Sequence, residues 1–547
     1  MFLKTVDVKG FRGISELFLD VNKDGSVLIG ENAWGKSSLL SALMFLSPEQ
    51  MFNQFVSEDF HHNSHKHNTL SITFTFCGEY QNQLNEPVYQ ALQPVVYLNR
   101  SDKLQYLVYQ IRAEQKEGKI VVDYRFLNEY GDSLFVEDVK TMMTALVKLR
   151  PVLRLKDPGD KQFLGDPVNN HSIHVDPRSD KHLDLLKQQL LKYSPNLRPE
   201  ELSRGLDAAC YLLEYYLVDQ KKRYNIKHVD KRETPNLVDW NHLDQVNHIL
   251  SRFDDTAIRS TLLSVFTALL VLNNPHQFSP DVVPILLLEE PESQLHPRIL
   301  SIGIRFLNHL PMQKIATTNS SDLISLIPLE KIYRLVRLPD RIAVYHFEPR
   351  ALSVSDTRKI MFHLLYRRPT TLFARSWLLV EGETEIWMLN ELANLCGYHL
   401  DSEGIQLIEF AQCGLKPLIK LANKIGIEWF VVTDGDIAGK HYSETVNSLA
   451  PNRDHIEDYL LTLPAQNIEN FMFRYGFSHV YKQIAYGSTE HVNLPVSRII
   501  QKAIQRSSKP DLAIAICDDA KQRGVESVPP ILRNMFGRLV KSAKTIY

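Results

Sequence analysis

Gly30-Glu31-Asn32-Ala33-Trp34-Gly35-Lys36-Ser37 fits the pattern Gly-x4-Gly-Lys-Ser/Thr without a mismatch. An apolar strand, Val27-Leu28-Ile29, precedes it, and a stretch of helical character, Ser37 to Leu46, follows. Strand, glycine loop, helix is the order a phosphate-binding loop requires. The glycines let the backbone curl so that its N–H groups face phosphate oxygens, and Lys36 would neutralise the β- and γ-phosphates. The Ser37 hydroxyl would complete a magnesium shell, while the following helix aims its positive end at the same anions. Glu31, Asn32, Ala33 and Ser38 line or flank this loop, and Trp34 either stacks on a base or packs against the fold. ATP is therefore the expected cofactor.

A phosphate-binding loop needs an acid from a neighbouring strand to hold magnesium. Val282–Leu288 reads as a buried strand closing on Glu289-Glu290-Pro291. Glu289 would face the metal, and Glu290 would orient or deprotonate the attacking water. About 250 residues separate the two motifs, more than a minimal ATPase domain holds, so insertions are expected between them.

Leu3–Val8 and Leu17–Val21 read as short strands, and Leu70–Phe76 and Lys119–Phe126 alternate as antiparallel strands do. Residues 156–180 turn rich in Pro, Gly, Asp, Asn and His, which marks a loop or a boundary. Helical periodicity dominates from Leu183 to Leu272. Lys314–Thr318 and Ile332–Val336 read as further strands and Leu352–Pro369 as a connecting helix. A second α/β pattern then starts: strand Trp377–Val380, helix Glu383–Cys396, strand Ile405–Glu409, helix Pro417–Lys424 and strand Trp429–Thr433. Such alternation implies a parallel sheet. After Tyr475 the chain reads as mostly helical. The expected class is α/β, with a P-loop ATPase over 1–155 and 251–370, a helical insertion or dimerisation arm over 156–250, a second α/β domain over 371–475 and a helical region over 476–547.

Lys plus Arg (62) nearly balance Asp plus Glu (64), so no global positive field draws nucleic acid, although a local basic groove is enough. The five cysteines lie far apart with no CxxC spacing, which argues against a disulfide framework or structural zinc. The start, MFLKTVDVKGFRG, lacks a secretory h-region, and no run reaches the roughly 18 apolar residues that span a bilayer. No membrane association and a cytoplasmic location are expected.

Trp377-Leu-Leu-Val380-Glu381-Gly382-Glu383-Thr384-Glu385 is an apolar strand followed by an acid, a glycine, and another acid on the first helical turn. Thr433-Asp434-Gly435-Asp436 ends the apolar strand Trp429–Val432. Two strand ends bearing acids in a parallel sheet set Glu381, Glu385, Asp434 and Asp436 along one edge, where ligands of such sheets bind. Four carboxylates repel one another unless divalent cations intervene, and hard oxygen donors suit Mg²⁺ or Mn²⁺.

The stretches FRGISELFLDV, GENAWGKSSLL, ILLLEEPESQLHP and ATTNSSDL occur in the order of the ATPase of OLD-type (overcoming lysogenization defect) nucleases, which is similar to the RecF and SMC type. EGxxE followed by DxD resembles the Toprim pattern of topoisomerases, DnaG-type primases and OLD nucleases. The resemblance spans about Met1 to Asn470. It implies an ABC-type ATPase followed by a Toprim nuclease acting on DNA, in phage defence or repair, and a homo-oligomer, because such heads work in pairs. It also implies that Glu381 stands nearest the scissile bond as a possible base, and that Glu385, Asp434 and Asp436 are metal ligands. Glu469, in Asn467-Ile-Glu469-Asn470, falls where OLD nucleases have a further acid, and Lys509 matches a late lysine that steadies charge on the phosphate. With two cations about 4 Å apart, one activates water and the other stabilises the leaving oxygen.

Two departures from the family matter. The signature stretch, Thr256-Ala-Ile-Arg259-Ser260, lacks the LSGG-like glycine, and Asn319 stands where relatives carry a switch histidine. An amide can hydrogen-bond to a γ-phosphate but cannot relay a proton, so ATP binding is expected with more force than turnover. A nucleotide-gated DNA-binding or scaffold protein that no longer cuts, and an RNA-directed nuclease, stay open as alternatives. His61-His62-Asn-Ser-His65-Lys-His67 could bind a soft divalent metal but reads more simply as a solvated loop. The basic run Lys221-Lys222-Arg223 with Lys227, Lys231 and Arg232 could touch DNA phosphates but reads more simply as the wet face of a helical arm. Tyr366-Arg367-Arg368 could line a nucleic-acid groove, or equally well be a helix end capped by basic residues.

Overall fold

The computed structural model describes residues 1–61, 69–116, 119–155, 281–293, 297–310, 312–348, 351–451, 453–487 and 494–545. The proposed signature stretch, the arm, the basic run at 221–232 and all of the histidine cluster but His61 lie outside the described residues. The chain divides into two compact units, Met1–Leu335 with Asp340–Val344, and Val336–Pro339 with Tyr345–Tyr547.

The first unit is built on a sheet of strands β1 (Phe2–Phe11), β2 (Ile14–Asp20), β3 (Ser26–Ile29), β4 (Thr69–Cys77), β5 (Val96–Leu98), β6 (Gln105–Lys116), β7 (Lys119–Leu127), β8 (Val152–Leu155), β9 (Ile285–Glu289), β10 (Lys314–Thr317), β11 (Ile332–Arg337) and β12 (Ile342–His346). Their order is β5-β6-β4-β1-β2-β12-β11-β3-β10-β9-β8, with β7 against β6. One part is antiparallel, and β2 and β4 in it alternate more and less buried residues, as half-covered sheets do. The other part is parallel, and its inner strands β3 and β10 are almost wholly buried. β10 lies between β3 and β9: Ala316 pairs with both Val27 and Leu288, and Thr317 with both Leu28 and Glu289. That register brings the ends of β3, β9 and β10 to one edge.

The second unit carries a parallel sheet of β13 (Ser376–Val380), β14 (Ile405–Glu409), β15 (Glu428–Thr433) and β16 (Leu460–Thr462), in the order β14-β13-β15-β16. Helices Glu383–Leu395, Leu415–Ile425 and Ile437–Leu449 follow β13, β14 and β15. The tail helices Ser478–Tyr486, Val496–Arg506, Lys509–Arg523 and Pro530–Thr545 share one hydrophobic core with the sheet, in which Val380, Leu389 and Phe430 meet Phe477, Ile500, Ile516 and Phe536.

The expected elements of both α/β patterns are present, with ends displaced by a few residues. Two expected helices change type along their length. Lys36–Leu43 is α-helical and Met44–Leu46 tightens to a 3-10 turn. Val354–Ile360 is α-helical, then Met361–Tyr366 widens to a π-helix before Pro369, which cannot donate to the ladder. β5, β6, β8, β12, β16 and the helices Val139–Leu149, Pro297–His309, Ser321–Ser325 and Ile437–Leu449 were not read from the sequence. β8 and β16 are short strands held by parallel neighbours, and their apolar content is too brief to show a period. No described helix is long and apolar enough to cross a membrane.

Candidate nucleotide and metal sites

β3 runs buried into Gly30, whose φ of 148° only glycine adopts comfortably, and a Cβ there would come within 2.8 Å of the Leu335 carbonyl oxygen. Gly35 (φ 85°) turns the chain into the helix that begins at Lys36. Lys36 is buried, and its Nζ donates to the Gly30 carbonyl and, at 2.7 Å, to Asn319 Oδ1. Burial lowers the Lys36 pKa, while Glu290, Glu292 and Glu31 pull it back up. Asn319 follows β10, and its Nδ2 donates to Glu290 Oε1 (2.6 Å) and Asn32 Oδ1 (3.0 Å). Glu290 itself holds a positive φ of 41°, a conformation rare for a side-chain-bearing residue, and its N–H donates to the Thr317 carbonyl at 3.0 Å. Glu289 forms an ion pair with Arg154, the third residue of β8.

Ser37 is exposed at the mouth of the loop, whereas the Ser38 hydroxyl accepts from the Gly13 N–H at 3.3 Å. Trp34 is 2% exposed, with the Arg334 guanidinium 5.5 Å from its ring centre, so it packs into the fold and does not stack on a base. Glu31 and Ala33 lie on the loop surface beside Asn32. Glu292 was missed in the sequence reading. Its Oε1 accepts from Thr318 Oγ1 (2.6 Å) and the Asn319 N–H (3.0 Å), and its Oε2 is buried without a partner among the described residues. Its only signal was its place in EEPES. Arg154 had no signal, because its partner lies 135 positions away. A curled loop with a buried amine, an exposed serine hydroxyl and acids on the adjoining strand fits a nucleotide triphosphate with its magnesium.

In the second unit, Glu381 directly follows β13 and Gly382 starts the next helix; a Cβ on Gly382 would lie 2.9 Å from Glu385 Oε2, so Glu385 folds back over it. Asp434 ends β15. The Gly435 N–H donates to the Ala465 carbonyl at 2.9 Å, and a Cβ at Gly435 would fall 2.5 Å from that same oxygen. Asp436 caps the helix Ile437–Leu449, its Oδ1 accepting from the Gly439 N–H at 2.7 Å. At Gly439 a Cβ would sit 1.8 Å from the Asp434 carbonyl oxygen. Glu469 lies buried on the short helix Ile468–Met472, which Asn467 caps, and its Oε1 receives Lys509 Nζ at 2.8 Å.

These side chains share one electrostatic neighbourhood. Burial pushes the Asp434 carboxyl up to about 7, helped by Glu381, Glu385, Glu469 and Asp436. Glu381 is raised by burial and then by Asp436 and Glu385, with Lys509 opposing. Glu385 is raised by burial and by Glu469. Lys509 is raised, chiefly through its hydrogen bond to Glu469. Tyr442, unremarked in the sequence, is raised by burial and by Glu381 and Asp436, and its ring stands edge-on to Phe410. Among the described residues no three or more His, Cys, Asp or Glu side chains are drawn into a ligand shell. The buried, unpartnered oxygens Glu381 Oε2 and Glu469 Oε2 nonetheless leave hard donors unsatisfied, as a divalent cation would require. Of the basic residues weighed at 366–368, Arg368 is committed to Glu409 at 2.8 Å and Arg367 lies over the Phe362 ring.

A family model described as protein of unknown function (DUF2813) matches residues 1–371, and one described as overcoming lysogenization defect protein-like, TOPRIM domain, matches residues 372–436. The uncharacterized protein YbjD of Escherichia coli (strain K12) is 41% identical over 560 residues, covering 100% of this chain and 99% of its own length. Among solved structures, the C-terminal region of the Burkholderia pseudomallei OLD protein covers 31% of this chain and 99% of its own at 21% identity, with a TM-score of 0.27. The SMC head domain from Thermotoga maritima covers 64% of this chain and 100% of its own at 12% identity, with a TM-score of 0.30.

Proposed function

This chain belongs to the DUF2813 family and is of the OLD type by its Toprim domain, and on that premise we propose that it is an ATP-binding, divalent-metal-dependent DNA endonuclease. The observation that carries the reading is the field around Asp434. Burial and four carboxylates from separate stretches of chain push its pKa to about 7, a repulsion that cations relieve.

In this reading residues 1–155 and 251–370 form the ATPase around the arm at 156–250, residues 371–475 form the nuclease domain and 476–547 its helical tail. Glu385, Asp434, Asp436 and Glu469 would hold Mg²⁺ or Mn²⁺. When bound, the cations supply activation of water and stabilisation of the leaving oxygen. Glu381, raised by burial and by its neighbours, would accept a proton from that water more readily than an ordinary carboxylate. Lys509 keeps a positive charge beside Glu469, where it would steady the phosphate. At the other site Lys36 would neutralise the triphosphate, Ser37 and Glu289 would hold its magnesium, and Glu290, which accepts a hydrogen bond from Asn319, would orient the attacking water. ATPase heads of this kind act in pairs, so the active form is a homo-oligomer.

Supercoiled plasmid incubated with the protein and Mg²⁺ or Mn²⁺, with and without ATP, tests the nuclease. Nicking that disappears in an Asp434→Ala/Asp436→Ala variant is the expected result; equal traces overturn it. A second reading, a nucleotide-gated DNA-binding protein that does not cut, draws on the open arrangement of the carboxylates. Binding of the plasmid without nicking would select it.

A further inference from the structure

The helix Val496–Arg506, Val-Ser-Arg-Ile-Ile-Gln-Lys-Ala-Ile-Gln-Arg, buries Ile499, Ile500 and Ala503 against the tail core. The rest of its surface contains no acid. Arg498, Lys502 and Arg506 recur every four residues, so they fall within an 80° arc of the helix and rise about 6 Å per step. Arg498 and Arg506 are exposed and form no ion pair among the described residues. Lys502 lies over the Tyr486 ring, 3.9 Å from its centre. Like charges at this spacing repel one another, so the row weakens its own helix unless an anion is bound against it.

Its position says which anion. Lys509 stands three residues beyond Arg506, so the two Cα atoms are at most about 11 Å apart, and Lys509 Nζ is 2.8 Å from Glu469 in the carboxylate cluster. The helix that carries Glu469, Ile468–Met472, packs against Val496–Arg506. The positive row therefore leads up to the proposed cutting site, where a polyanion would otherwise be repelled by five carboxylates. The row is about 12 Å long, and a DNA strand sets one phosphate every 3.4 Å or so of axis, so the row spans three to four phosphates.

We propose that Arg498, Lys502 and Arg506 form a backbone-binding ladder that holds the DNA strand beside its scissile phosphodiester, with the contacts made to phosphate and not to base edges. The inference rests on the nuclease reading for the location of the scissile bond. The row carries the affinity, and the carboxylates carry the chemistry.

The test uses the full chain with Ca²⁺ in place of Mg²⁺, a fluorescent DNA duplex, and anisotropy titrations over a range of salt. Arg498→Gln/Lys502→Gln/Arg506→Gln is compared with Lys416→Gln/Lys420→Gln/Lys424→Gln, an equal charge removed from an equally spaced row on Leu415–Ile425. The first variant is expected to bind about tenfold or more weakly and to lower the slope of log affinity against log salt by about 3, while the second changes little. Melting temperatures of both are expected to equal or slightly exceed the parent's, because the altered side chains lie outside the core and their mutual repulsion is removed. Binding by the first variant that equals the parent, or an equal loss in both variants, overturns the ladder whatever the plasmid assay shows. Ladder-dependent binding by a protein that never nicks plasmid keeps the ladder and removes the nuclease.

Discussion

Lys36 Nζ donates a 2.7 Å hydrogen bond to Asn319 Oδ1, from a residue 283 positions along the chain. The amide of Asn319 passes the contact on to Glu290 Oε1 at 2.6 Å. The amine that would grip the triphosphate and the acid that would orient water are thus joined through one side chain, which can accept and donate at once but cannot carry a proton.

Asn319→Ala removes that link. ATP binding, followed by fluorescent-nucleotide titration, is expected to stay within a few-fold of the parent. Any ATP hydrolysis is expected to fall about 10- to 100-fold, since hydrogen bonds to charged groups contribute roughly 1.5–3 kcal/mol. Lys36→Ala is expected to abolish binding. Unchanged hydrolysis in Asn319→Ala would mean that another group meets the γ-phosphate.

The raised carboxylates make a pH-dependent prediction. Asp434 is held near 7 in the fold against an ordinary value near 4, so between those limits the folded, metal-free chain binds more protons than the unfolded one. Stability from this source is present at low pH and is lost as pH rises through that window. In EDTA, the melting temperature is expected to drop more between about pH 5.5 and about pH 8 than in Asp434→Asn. Saturating Mg²⁺ should raise it most at the alkaline end, and a metal effect equal at both pH values would contradict the shared field.

Lys509 and Glu469 are coupled at 2.8 Å, but Lys509 is half exposed, so solvent screens the pair. Lys509→Ala leaves Glu469 buried and unpaired. The double variant Lys509→Ala/Glu469→Gln is expected to recover stability relative to Lys509→Ala, with a coupling on the order of 1 kcal/mol in a denaturation cycle. Additive losses would show that the ion pair does not contribute. Plasmid nicking is expected to stay low in both variants.

Two glycines are expected to respond in opposite directions. A Cβ at Gly439 would meet the Asp434 carbonyl oxygen at 1.8 Å, so Gly439→Ala must push the acidic loop off β15, at a cost of about 3 kcal/mol or more. Gly303, inside the helix Pro297–His309, has nothing described within 4 Å of such a Cβ, and Gly303→Ala is expected to stabilise by roughly 0.5–1 kcal/mol. Thermal melting of the two variants decides both.

What could be read from the sequence was local. Gly30 to Ser37 announces its loop because strand, glycines and lysine are contiguous, and Glu381 and Asp434 announce themselves because each closes an apolar strand. The insertion of β10 between β3 and β9 could not be read, because strand order depends on pairing across hundreds of residues. For the same reason the partnerships Arg154–Glu289 and Asn319–Lys36 were hidden, while Thr318–Glu292, much nearer in sequence, depends on β9 and β10 lying side by side. Glu469 and Lys509 were reached only through family resemblance. Their own surroundings, a short capped helix and a helix start, look like ordinary surface until the tail folds back onto the sheet.

That folding back limits how the Toprim half can be dissected. Phe477, Ile516 and Phe536 fill the same interior as Val380 and Phe430. A fragment that stops soon after Asp436, where the Toprim match ends, would keep most of its acids but expose the greasy underside of its sheet. Such a piece is expected to aggregate. Anyone transplanting this Toprim domain onto another carrier would have to take the chain through Pro530–Thr545 as one indivisible module.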